Sequence, residues 1–337
     1  MTFTLKVVLA FAVLIGVGLA LTFQVPPIDT IQRGFRGVAM VENYDPRTVK
    51  AEYAVNQIPD EIPAIPPSGQ LSSAVYQNVQ VLKNLDSSEF LRLMAAITAW
   101  VSPQQGCNYC HNPNNMAEDS VYTKVVARRM IQMAQNINAN WKTHVAATGV
   151  TCYTCHRGNP VPANVWFTDP GQSRFTGMVE SNVGKNHPTA AINNSSLPSD
   201  PFTPFLEGDS SIRIASQTPL PTGDRQSIKQ TDWTYALMIH FSQSLGVNCT
   251  YCHNSRAFTD WNQSTPQRTN AWYGIRMVRD VNNNYLNSLH NVFPPGRLGP
   301  LGDVAKVNCA TCHQGVYKPL FGVSMVQTYP ELGAQQP

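Results

Sequence analysis

The sequence predicts a mainly helical chain in which an N-terminal membrane-spanning helix precedes two pseudo-repeated helical modules set among long irregular loops. Three observations lead there. The opening run is apolar and uncharged, the later apolar residues recur at helical spacing, and every cysteine falls in a Cys-x-x-Cys pair followed at once by histidine.

From Val7 to Phe23 the chain reads VVLAFAVLIGVGLALTF, with Lys6 before it and the helix breakers Pro26 and Pro27 after it. At a rise of about 1.5 Å per residue this run reaches roughly 25 Å, just enough to cross the hydrocarbon core of a bilayer. A cleaved secretory signal fits as well, because Gly18-Leu19-Ala20 offers a small-x-small site behind a short positive start. The expectation carried forward is an uncleaved anchor over residues 1–24, with Lys6 cytoplasmic and everything after Phe23 outside, in the periplasm of a Gram-negative cell.

Residues 25–84 are rich in proline and polar side chains, IPDEIPAIPPSG at 58–69 being the clearest stretch, and read as an irregular arm. Prolines crowd again between Arg157 and Ser227, at 160, 162, 170, 188, 198, 201, 204, 219 and 221. This marks a connector over 161–227 between a first module, 85–160, and a second, 228–320, with 321–337 as a tail. So long a segment is expected to wrap the surface of its neighbours.

Periodicity gives each module two helices. Asp86-Ser87-Ser88-Glu89 forms a capping box before a stripe of Phe90, Leu91, Met94, Ile97 and Val101, which Pro103 ends. Val121, Val125, Met130, Met133 and Ile137 mark a second helix. Tyr235, Met238, Phe241 and Leu245 mark a third, stopped by Gly246, and Ser264 with Pro266 opens a fourth running to about His290. No segment reads as a strand. GCNYCHNPNN at 106–115 echoes NCTYCHNSRA at 248–257, and ARRMIQMAQNIN at 127–138 echoes GIRMVRDVNNN at 274–284, the pattern of a duplicated unit.

The four motifs are Cys107-Asn-Tyr-Cys110-His111, Cys152-Tyr-Thr-Cys155-His156, Cys249-Thr-Tyr-Cys252-His253 and Cys309-Ala-Thr-Cys312-His313. Each has the form of a c-type haem attachment sequence. Two thiols on one face of a helical turn can add to the two vinyl groups of a porphyrin, which leaves the next residue, histidine, beneath the iron as its fifth ligand. Structural disulfides would not ask for a histidine after each pair, and an all-thiolate zinc site would leave those histidines idle. The fold class is therefore a multihaem c-type cytochrome of two two-haem modules, with four covalently attached haem c groups. Charged residues are only 13% of the chain, and the formal charge of +3 has no basic run dense enough to track phosphates. Nucleic acid is excluded as a partner.

The sixth ligands decide what such haems do, since an open iron binds small molecules whereas a closed one carries electrons. His144, His187, His240 and His290 remain after the motif histidines, enough to make every site bis-histidine. Helical placement argues for methionine at three of them. Met94 and Met238 hold matching places on the apolar faces ahead of Cys107 and Cys249, and Met130 stands likewise before Cys152, with Met133 one turn on as its rival. His240 lies about 200° around the helix from Met238, so only one of the two can face a given iron. For the fourth haem, Met277 aligns with Met130, and His144 in WKTHVAATG is the other candidate; spacing leaves both open.

On these residues the chain resembles the tetrahaem cytochrome subunit of purple-bacterial photosynthetic reaction centres. The resemblance runs from about Arg33 to Tyr329, through VYQNVQVLKNL, WVSPQQGCNYCH, WKTHVAATGVTCYTCHRGNPVP, STPQRTNAWYGIR and the last motif. It implies His/Met ligation by Met94 with His111, Met130 with His156 and Met238 with His253, and a His/His pair of His313 with His144. Met277, Met133, His240, His187 and His290 then become packing or surface residues. It further implies a near-linear haem row, the third motif's haem next to the bacteriochlorophyll special pair and the first motif's outermost, with Arg268 placed to pair with a propionate of the innermost haem.

Many members of that family carry a lipidated cysteine, whereas no cysteine precedes Cys107 here, so a retained helix takes its place in the membrane lipid. The implied function is an electron carrier rather than an enzyme, docked on the core bacteriochlorophyll-binding subunits at the periplasmic face of the photosynthetic membrane. It is refilled by a soluble periplasmic cytochrome c or high-potential iron-sulfur protein. Four ferric haems at about −1 each bring the apoprotein's +3 to about −1, which lets a basic donor dock. A membrane-anchored respiratory tetrahaem quinol dehydrogenase is the alternative if all sixth ligands are histidine, and an enzyme with an open haem is a third.

Overall fold

The computed structural model describes residues 2–22, 28–33, 40–169, 189–214 and 228–333. His187, and the prolines at 170, 188, 219 and 221, lie outside the described residues. Helix α1, Phe3–Thr22, is the apolar opening run and buries none of its residues against the rest of the chain. By length and composition it can cross a membrane.

The arm is less irregular than its composition suggests. Strand β1, Asp29–Arg33, pairs antiparallel with β2, Met40–Tyr44, so that Asp29 faces Tyr44 and Arg33 faces Met40. Helix α2, Pro46–Val55, follows. Asp45 caps it by accepting from the Arg47 amide, and Pro46 stands at the first helical position where no amide is needed. No residue of α2 is buried, so no apolar stripe announced it, and the strands were equally hidden in short polar runs. One further turn, α3 at Ser72–Val75, precedes the first module.

Four long helices stand where periodicity places them: α4 at Ser87–Val101, α5 at Tyr122–Asn140, α8 at Ile228–Leu245 and α9 at Pro266–Asp280. Wider and then tighter turns carry α9 on to Leu289. Between α5 and α8, among the described residues, come α6 at Lys142–Val145, α7 at Cys152–His156, β3 at Val165–Trp166 and single turns at Ala190–Ile192 and Thr203–Glu207. After α9 come β4 at Lys306–Val307 and α10 at Cys309–His313. Asp86 caps α4 by accepting from the Ser88 amide. The reciprocal half of the capping box is replaced, because Glu89 turns to the Arg92 guanidinium at 3.2 Å.

The helical faces differ from the sequence stripes in an informative way. In α4 the most deeply buried apolar residues are Leu93, Ala96 and Trp100, while Leu91 is exposed and Ile97 and Val101 line an internal cavity. In α8 the buried face is Ala236, Leu237 and His240, and the predicted stripe of Tyr235, Met238, Phe241 and Leu245 lines the same cavity. The apolar stripes thus line a cavity, and the adjacent faces of α4 and α8 pack against α7 and α10.

Two apolar cores result. Leu93, Ala96, Trp100, Ile131, Tyr329 and Leu332 form one, and residues of α5, α8, α9 and the connector form the other, including Ile137, Leu237, Ile275, Met277 and Val278. Each fully buried large apolar side chain contributes roughly 1.5–3 kcal/mol.

Through residue 333 the expected tail is not a free end. Thr328 and Leu332 carbonyls accept from Arg92 and Asn138, which tie the returning chain onto α4 and α5. Among the described residues of 161–227, Phe202, Phe205 and Leu206 enter the second core, and Val165 and Trp166 pair with Val307 and Lys306.

Candidate functional site

The motifs fall into two geometric pairs. The first and third sit on tight turns, Gly106–Tyr109 and Cys249–Tyr251, while the second and fourth form α7 and α10. Thr123 and Thr265 hydroxyls donate to the Tyr109 and Tyr251 carbonyls and tie the first and third turns to the starts of the following helices. Reciprocal capping boxes, Thr151 with Thr154 and Asn308 with Thr311, open α7 and α10. Arg157 and Gln314 close them in the left-handed conformation. Gly158 and Gly315 then donate to the Trp100 and Ser244 carbonyls at 2.8 and 2.9 Å, which docks α7 on α4 and α10 on α8.

The same pairing governs the histidines. Nδ1 of His111 lies 3.0 Å from the Met116 carbonyl and Nδ1 of His253 lies 2.8 Å from that of Phe258. His156 and His313 reach the carbonyls of Asn159 and Val316 at 2.8 and 3.0 Å. A carbonyl only accepts, so each Nδ1 carries the proton and each Nε2 keeps its lone pair for a metal. Burial lowers the pKa of His156 and His253, and takes His313 to about 4 with His144 as a second cause. Neutral imidazole is the ligating form. Burial also raises the thiols of Cys152 and Cys309 to about 12 and that of Cys252 to about 11, which keeps them protonated.

A cavity of about 930 Å³ is bordered by all four motifs, through Cys110, Cys152, Cys155, His156, Cys249, Cys252, His253, Cys309, Cys312 and His313. Met130, Met133, His144, Met238 and Arg268 also line it. Met94 lies half-buried beside the core of Leu93, Ala96 and Trp100, on the helix that abuts the first motif. Apolar walls, thiols in pairs and imidazoles with free Nε2 atoms fit haem c. Among the described residues no group of three or more His, Cys, Asp or Glu side chains is arranged to hold a bare metal ion.

The His144 and His313 rings lie edge-on to each other, with centroids 6.2 Å apart and planes tilted by 66°. Two metal–nitrogen bonds of about 2 Å plus the two ring half-widths come to roughly the same span. Met277 is buried in the second core and also lines the cavity. His240 is buried beside Phe202 with its Nε2 3.1 Å from the Ser244 hydroxyl, a packing role. His290 is exposed, its two ring nitrogens meeting Asn291 and the Gly302 carbonyl. The guanidinium of Arg268 stacks 4.0 Å from the Trp261 ring and donates to the Asp260 carbonyl and the Ser264 hydroxyl, beside the third motif.

Cys155 and Cys312, each assigned to a haem in the sequence reading, lie with Cα atoms 4.5 Å apart and their sulfurs in disulfide contact. The reason is the docking of α7 against α10, which Arg157 and Gln314 reinforce by donating crosswise to the Cys312 and Cys155 carbonyls. The other six cysteines are free. A sulfur in a disulfide cannot also join a vinyl carbon, so the two bonds are alternatives at these positions.

Two residues of the site escaped the sequence reading. Asn270 meets His144, and Gly274 makes room for its ring, since a Cβ there would stand 2.6 Å from His144 Cε1. An isolated glycine inside a helical pattern was the available signal.

Residues 24–333 match the family model described as photosynthetic reaction centre cytochrome C subunit. The chain is 52% identical to the photosynthetic reaction center cytochrome c subunit of Rubrivivax gelatinosus, over 91% of this chain and 84% of that protein. It is also 52% identical to that of Thermochromatium tepidum, over 91% and 76%. The Roseobacter denitrificans protein of the same name is 40% identical over 91% and 86%.

Proposed function

Because the chain belongs to the photosynthetic reaction centre cytochrome c subunit family, we propose that it relays electrons from a soluble periplasmic donor to the photo-oxidised bacteriochlorophyll pair of the reaction-centre core. Electron transfer follows from the family, and the quinol dehydrogenase alternative finds no support in it. Haem c, when bound, supplies a one-electron ferric–ferrous couple whose potential follows its axial ligands.

The proposed count is four, one to each motif. Cys107 with Cys110, Cys152 with Cys155, Cys249 with Cys252 and Cys309 with Cys312 provide the attachment sulfurs, and the disulfide is set aside because each motif repeats the same histidine and the same Nδ1 anchor. His111, His156, His253 and His313 would each hold the iron of their own motif, with Met94, Met130 and Met238 completing the first three sites and His144 the fourth. The single observation that carries this reading is the edge-on pair His144 and His313 at a separation suited to one iron. Arg268 offers its charge to a propionate at the third site.

Three closed His/Met sites and one closed His/His site suit a carrier and leave no open iron for bond chemistry, so no enzymatic activity is proposed. The matched caps, threonine bonds and histidine anchors support a duplicated two-haem unit. Helix α1 is proposed to anchor the chain in lipid, with the remainder on the periplasmic face, and the donor to be a soluble cytochrome c or high-potential iron-sulfur protein.

The test is optical. The ferric protein should show the weak long-wavelength band of His/Met haem, the reduced protein should bind no carbon monoxide, and a flash in intact membranes should oxidise this subunit after the special pair. A missing band points to bis-histidine sites throughout, and carbon monoxide binding points to an open iron; either result contradicts the proposal.

A further inference from the structure

We propose that Asn270 is a positioning residue for His144: its side-chain oxygen fixes the imidazole and thereby sets the potential of the one bis-histidine haem separately from the other three. The inference rests on the ligand assignment just given.

His144 belongs to α6, a single turn too short to orient a ring unaided. Trp141 Nε1, at the cap of that turn, donates to Asp280 Oδ2 of α9 at 2.8 Å, as does Asn136 Nδ2 from the preceding helix α5. Gly274, with no side chain, lets the imidazole approach the helix backbone. One turn earlier on the same face, Asn270 presents two oxygens to His144 Nδ1, its main-chain carbonyl at 3.0 Å and its side-chain Oδ1 at 3.1 Å. Both only accept, so Nδ1 holds the proton and Nε2 is left to ligate.

The main-chain carbonyl, being part of α9, also serves the helical bond to the amide four residues on. The Oδ1 atom is therefore the more dedicated partner. This arrangement sets His144 apart. His111, His156, His253 and His313 each lean on a main-chain carbonyl, of Met116, Asn159, Phe258 and Val316, which no side-chain substitution removes. At His144 the acceptor strength is written in a side chain. A stronger acceptor makes the imidazole more anionic, stabilises the ferric state and lowers the potential.

The test uses purified, fully haem-loaded protein carrying Asn270→Asp or Asn270→Ala, followed by haem-resolved redox titration and low-temperature EPR. N270D, close to isosteric, is expected to shift the bis-histidine midpoint negative and leave the other three unchanged. N270A is expected to shift it positive and to broaden or move its low-field EPR line, because the ring loses one anchor. A purely structural role would lower haem yield without moving a midpoint selectively. Unchanged midpoint and line in both variants would overturn the inference. The ligand reading fails separately if the wild type has no bis-histidine signal, or if that signal survives His144→Ala.

Discussion

Replacing Gly274 by alanine sets two consequences of one methyl group against each other. Inside α9 the change gains about 0.8–1.0 kcal/mol of helix propensity. The new Cβ would, however, stand 2.6 Å from Cε1, 2.9 Å from Nδ1 and 3.1 Å from Nε2 of the His144 ring. Ordinary carbon contacts lie near 3.5–4.0 Å, so the ring must retreat by roughly 1 Å. That retreat takes His144 Nδ1, now 3.0 Å from the Asn270 carbonyl, beyond hydrogen-bond range. A metal–nitrogen bond of about 2 Å cannot stretch as far. Overpacking of this kind costs about 1–3 kcal/mol, so stability should fall by no more than about 2 kcal/mol while the fourth site loses its sixth ligand. The assay is carbon monoxide binding to reduced, native G274A, with the melting temperature read alongside. One haem of four should bind the gas. A variant that binds none and melts higher than the wild type would refute the reasoning.

Other predictions follow from single side chains. Burial pushes His240 down to about 3 from 6.5, so its neutral form is favoured in the fold; the stability it contributes is whole above pH 6.5 and is lost as pH falls toward 3. Acid unfolding of His240→Gln should therefore be shallower over that range than that of the wild type, and identical pH profiles would contradict the burial argument. Met238→His should lower one midpoint and remove about a third of the long-wavelength ferric absorption, because imidazole replaces a thioether; an unchanged band would assign Met238 to packing. Intact mass of denatured protein after thiol reduction and alkylation should give the chain plus four haems with no alkylated cysteine. Two alkylated sulfurs at Cys155 and Cys312 would establish the disulfide instead of the thioethers.

Much of this molecule is legible in its residues, and the parts that are not share a cause. Helices α4, α5, α8 and α9 were visible because an apolar cavity demands a continuous stripe at helical spacing, and Met130 and Met238 stood on those stripes. The same stripes misplaced the deepest packing, because Leu93, Ala96 and Trp100 pack on the neighbouring face against a short motif helix that no periodicity reports. Helix α2 went unread since an Asp45 cap, not burial, defines it, and the β1–β2 pair since it joins two short segments by cross-strand pairing. Spacing could not show how the His144 turn meets α9 beside Gly274 and Asp280, a tertiary contact. The closeness of Cys155 to Cys312 is likewise a product of two docked helices far apart in the chain.

Near-infrared magnetic circular dichroism of the fully oxidised, haem-loaded protein tests the ligand set directly, since His/Met and His/His low-spin ferric haems give charge-transfer bands at separate wavelengths. The account predicts both bands with intensities in a ratio of about three to one. A single His/His band, or a high-spin contribution in the native protein, would contradict it.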